Sequence, residues 1–66
     1  MFEYKIDITV EDKDKNQHII KRYYVLPIMG RYKLKDTIDN KLKKDAEISQ
    51  YKMINYNVVD WYEVSP

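Results

Sequence analysis

The chain has 66 residues, with 12 Lys and Arg against 11 Asp and Glu, one His, no Cys, and a formal net charge of +1. That length is one domain, 1-66, and a domain of this size buries only about 60% of its unfolded surface, so its core has little reserve. Without Cys there is neither a disulfide staple nor a thiolate metal site, one His cannot form a cluster, and the near-neutral balance is far from that of a strongly basic nucleic-acid binder.

Phe2, Tyr4, Ile6, Ile8 and Val10 alternate with Glu3, Lys5, Asp7 and Thr9, which predicts a strand with one buried face. The polar run "EDKDKNQ" reads as a hairpin loop longer than two residues, with Asp or Asn accepting local backbone hydrogen bonds in a type I turn. A second strand is expected over residues 18–26. Its alternation is broken by the neighbours Ile19 and Ile20, Lys21 and Arg22, and Tyr23 and Tyr24, so either a bulge or cover on both faces is expected, and its inward face is left open.

Pro27 removes a ladder donor and Gly30 permits a positive φ, so "PIMGR" should end the strand and reverse the chain. Leu34, Ile38, Leu42 and Ala46 then recur every four residues from a helix start near Lys33, giving one narrow apolar stripe. Residues 53–64 are rich in β-formers, with Ile54, Tyr56 and Val58 alternating against Asn55 and Asn57. The phase slips at Val58 and Val59, which predicts a bulge or strand end, with "DWYEVSP" as an edge or tail. The fold class that follows is α+β, a small antiparallel sheet packed by one helix in the order β-β-α-β, with Leu34, Ile38 and Leu42 facing Ile6, Ile8 and Ile54.

No apolar run approaches the roughly 20 residues of a membrane span, and the alternating start is unlike a signal peptide, so a cytoplasmic protein with no membrane partner is expected. Catalysis is not expected. One glycine cannot build a phosphate loop, there is no cysteine nucleophile, and a triad would require His18 beside a loop with Ser49 or Ser65. Asp12 and Asp14 lack the Gly and terminal Glu of a calcium loop, so neither metal nor cofactor is expected.

Charge is unevenly distributed: residues 29–44 hold six bases and two acids, and residues 45–66 hold one base and four acids. The basic, aromatic stretch suits two partners. Lys21, Arg22, Tyr23, Arg31 and Lys33 form the candidate surface for single-stranded nucleic acid, where bases stack on rings along a positive groove. The competing candidate is a protein interface at Arg22, Tyr24, Arg31, Tyr32, Tyr56, Trp61 and Tyr62, because Tyr, Trp and Arg most often anchor interfaces. Seven tyrosines with Phe2 and Trp61 favour the protein interface, and homodimerisation is the one support of a very small domain that the composition leaves.

The hairpin "YKIDITVEDKDKNQ", with the order strand, strand, helix, strand, resembles the small dimeric uracil-DNA glycosylase inhibitor family of phages, and the order is similar to that of a small phage inhibitor of bacterial RNA polymerase. The glycosylase inhibitors are acidic whereas this helix is basic, so the resemblance implies a topology and a class of role and carries over no functional residue. Few Ala and Gly beside many Lys, Asn, Ile and Tyr fit an AT-rich genome. The expected role is a non-catalytic module of phage or mobile-element type that occupies or inhibits a host or defence protein. The alternative is a nucleic-acid-binding accessory protein.

Overall fold

A computed structural model describes residues 1–65. The elements are β1 (Phe2–Glu11), β2 (Gln17–Leu26), α1 (Arg31–Lys43), a single 3₁₀ turn (Ile48–Gln50) and β3 (Lys52–Glu63). This is an α+β fold in the order β-β-α-β, and its sheet is antiparallel throughout with β1 in the centre and β2 and β3 at the edges. Pro66, the last residue of the expected edge or tail, lies outside the described residues.

The hairpin loop forms as its composition dictates. Asp12 Oδ1 accepts the backbone N–H groups of Asp14 and Asn16, both at 2.9 Å, and its carbonyl accepts that of Lys15 at 3.0 Å. Lys15 closes the turn at φ 64, a left-handed conformation that favours Gly. Lys15→Gly should therefore raise stability by about 0.5–1 kcal/mol, measured by urea unfolding. His18 Nε2 lies 2.8 Å from Asp12 Oδ2, and that contact, followed by the Asn16 amide, holds the Asp12 carboxyl below its usual range.

Tyr4, Ile6, Ile8 and Val10 of β1 meet Ile38 and Leu42 of α1, with Leu26 and Ile48 closing the ends of the core. Register resolves the neighbouring pairs of β2. His18, Ile20, Arg22, Tyr24 and Leu26 stand opposite the inward residues of β1, while Ile19, Lys21, Tyr23 and Val25 face out. The strand is neither bulged nor covered on both faces, since each doubled pair places one residue on each side.

β3 shifts register twice, leaving Ile54 and Val59 as the extra residues. The second shift is the phase slip expected at Val58 and Val59. The first displaces Ile54 from the core, where it was expected: Met53 stands opposite Val10 and Ile54 is 41% exposed. Ala46 is also exposed, because the helix ends at Lys43 and Ile48 of the 3₁₀ turn takes the position that the stripe assigned to it. Gly30 has φ −63 and ψ 157, so the reversal needs no left-handed residue, and Gly30 serves as an N-cap that has no side chain to contribute.

Candidate protein-binding site

Helix α1 crosses the inner sheet face but leaves a trough beside β3. Arg31, Leu34, Lys35 and Ile38 form one wall and Met53 to Tyr56 with Val58 the other, enclosing about 510 Å³ in an open, mostly apolar groove. The strand wall exists because the bulge at Ile54 widens β3 there and gives its apolar side chain to the groove instead of the core.

One end of this groove is basic. The first helical turn contains no acid, Gly30 makes no side-chain cap, and Arg31 and Lys33 stand where the helix dipole is already positive, with Lys35 at the start of the next turn. Lys35 reaches Asp39 at 3.1 Å, whereas Arg31 and Lys33 have no ion-pair partner among the described residues. The other end is pinned by Tyr56, whose hydroxyl donates to Asp39 Oδ1 at 2.5 Å. Burial first and the Asp39 contact second push the Tyr56 hydroxyl up to about 12. This folded value is raised above the ordinary 10, so from neutral pH up to pH 10 the contact stabilises the fold fully, and it is lost as pH rises through 12. Tyr56→Phe should cost about 1 kcal/mol at neutral pH and delete the latest-ionising tyrosine from an ultraviolet titration.

The residues expected at an interface are distributed unevenly. Arg31 and Tyr56 line the groove; Tyr32, beside Arg31, is 82% exposed. Trp61 lies opposite Tyr4 on the helix side of the sheet, beyond Val58, and is 61% exposed, because the bulge at Val59 restores it to that face. Tyr24 lies partly buried beneath Lys41, whose Nζ is 5.4 Å from the ring centroid, and burial raises its pKa. Tyr62 is on the other face, where its hydroxyl donates to Glu3 and its pKa is raised mainly by that contact.

The surface expected for nucleic acid is more dispersed. Lys21 pairs with Asp7 at 3.2 Å on the outer sheet face, beside Tyr23 on the same strand. Arg22 points inward, its Nε 2.8 Å from Asp45 Oδ2 and its Nη2 2.5 Å from Glu47 Oε1. Arg31 and Lys33 belong to the helix. The sequence reading missed Leu34, Lys35, Met53, Ile54 and Val58 as groove walls. The narrowness of the helical stripe was the available signal, because one stripe cannot cover three strands.

Among the described residues no group of three or more His, Asp or Glu side chains could hold a metal ion, and no helix is long and apolar enough to cross a membrane. Comparison with protein-family models, curated proteins and solved structures finds no match to this chain.

Proposed function

We propose that this chain is a small non-catalytic protein-binding module of phage or mobile-element type, which occupies a host or defence protein by accepting one of its apolar, acid-flanked segments between α1 and β3. The observation that carries this reading is the open apolar groove beside an uncompensated basic helix start. Apolar walls favour desolvated side chains, and the positive end favours a carboxylate near them. Tyr32, next to Arg31, and Trp61, on the helix side of the sheet, are exposed rings suited to anchoring.

The alternative, a nucleic-acid-binding accessory protein, rests on the exposed run of Arg31, Tyr32 and Lys33. Its weakness is that Lys21 and Arg22 are already neutralised within the chain. The two readings separate by salt. Capture from nuclease-treated host lysate should survive high salt in the wild type and fall at least about tenfold in Ile54→Glu and in Trp61→Ala, both at exposed positions. Retention on single-stranded DNA that declines steeply with salt and disappears on replacing Arg31 and Lys33 with Ser would instead establish the alternative.

Gly30→Asp provides a second, opposed readout. A carboxylate cap on the basic helix start should stabilise the fold by about 0.5–1 kcal/mol. It should also weaken the partner, because it occupies the positive end intended for the partner's acid. Greater stability with unchanged binding would remove the helix start from the site.

A further inference from the structure

The sheet has two edges, and they differ. β3 is interrupted by bulges at Ile54 and Val59, a device that discourages lateral pairing. β2 pairs with β1 through ten consecutive positions without a bulge, and among the described residues its outward backbone groups meet no other strand. Pro27 follows the strand and does not interrupt it.

Three exposed apolar side chains of the outer face form a row along this edge, while Tyr62 stands apart on β3. Ile19, Tyr23 and Val25 are all on β2, whereas the central strand presents Glu3, Lys5, Asp7, Thr9 and Glu11 to that face. A partner lying flat on the sheet would meet charges. A partner adding laterally would cover the apolar row. The two cations of β2 would not oppose it, because Lys21 is held by Asp7 and Arg22 by Asp45 and Glu47.

We infer that a second copy of this chain pairs antiparallel along β2, with the two-fold axis at Arg22, giving one continuous six-stranded sheet. Antiparallel partners must share a face, and this register places Ile19 opposite Val25, Ile20 opposite Tyr24 and Lys21 opposite Tyr23 of the second copy, with Arg22 opposite its own copy on the inner face, where Asp45 and Glu47 neutralise it. Shifting the axis to Lys21 would oppose Ile20 to Arg22 and Val25 to Gln17, leaving Ile19 with Tyr23 as the apolar match. Shifting it to Tyr23 shortens the overlap and opposes Lys21 to Val25. The central register gives two apolar pairs on each side of the axis, more than either neighbouring register. Because β3 is the opposite edge, both α1–β3 grooves remain open in the dimer, and the inference is independent of what they bind.

The chain has no cysteine, so introduced ones report cleanly. Opposed residues on antiparallel strands have Cα atoms about 4.5–5.5 Å apart, within disulfide range, while Ile19 and its own copy would be about 20 Å apart. Ile19→Cys mixed with Val25→Cys under mild oxidation should therefore yield the mixed disulfide, with either chain alone remaining largely unlinked. Sedimentation of the wild type at concentrations up to about 1 mM should show dimer, and Ile19→Lys with Val25→Lys, at exposed positions, should weaken it at least about tenfold. Should the double Lys chain lose its circular dichroism, the cysteine pair decides. A wild type that remains monomeric, a folded Lys variant that dimerises unchanged, or self-linking as efficient as mixed linking would each overturn the inference.

Discussion

Ile38→Asp will unfold the protein at room temperature, read as loss of the native circular dichroism spectrum and of any cooperative melting transition. Ile38 is 1% exposed and packs in the cluster formed by Ile6, Ile8, Val10 and Leu42. Among the described residues no buried polar side chain stands in that cluster to receive a carboxylate. The substitution removes the buried methylenes and introduces an unpaired acid, together about 4 kcal/mol or more. A single core in a chain this short supplies roughly 3–5 kcal/mol in all, so nothing remains. Ile38→Val is the graded control: it should cost about 1 kcal/mol and lower the melting temperature by roughly 4–8 °C. A native spectrum and unaltered melting in Ile38→Asp would mean that a different helix face meets the sheet.

The period of the sequence made this core legible. The strict alternation in β1 and the four-residue recurrence in α1 each commit one face, and the structure brings those faces together through Ile6, Ile8, Ile38 and Leu42. The slip at Val58 and Val59 was legible because two β-branched residues in succession break parity. The bulge at Ile54 left no such mark, since Ile54, Tyr56 and Val58 alternate perfectly in sequence while the chain inserts its extra residue at the first of them. Half of the groove was hidden for the same reason: its strand wall depends on a register shift set by pairing with β1, a non-local property. The facing of β2 was likewise undecidable from its doubled residues and was settled only by Tyr4 opposite Tyr24 and Ile8 opposite Ile20. Gly30 shows the reverse error, in which a residue's permissiveness was taken for a requirement: its φ is −63.

The part-buried ion pair of Arg22 produces the second large effect. The Arg22 guanidinium spans Asp45 and Glu47, and Asp45 Oδ1 also accepts the backbone N–H groups of Glu47 and Ile48, each at 3.1 Å. One carboxylate thereby fastens the 3₁₀ turn, and with it buried Ile48, to the edge strand β2. Arg22→Ala should cost about 2 kcal/mol, because it leaves a partly buried acid without its cation, and a loss of that size lowers the melting temperature by roughly 10 °C in so small a domain. Removing both charges, with Arg22→Met and Asp45→Asn together, should cost less than the two single changes combined, since neither group is then stranded.

The same contact fixes the acid side of the stability profile. The Arg22 hydrogen bonds first, and the Ile48 amide second, hold the Asp45 carboxyl below its ordinary 3.8, and Asp12 and Asp39 shift in the same direction. A depressed folded value means that the native state favours the ionised carboxylate. The stabilisation is therefore fully present above pH 3.8 and is lost as pH falls through the folded value. Asp45→Asn should accordingly melt well below the wild type at neutral pH, and the gap should close on acidification as the wild-type carboxyl takes up its proton. Parallel melting curves for the two proteins from about pH 5 to pH 2, with a constant gap, would show that the Asp45 charge contributes nothing and that Arg22 holds the turn by packing alone.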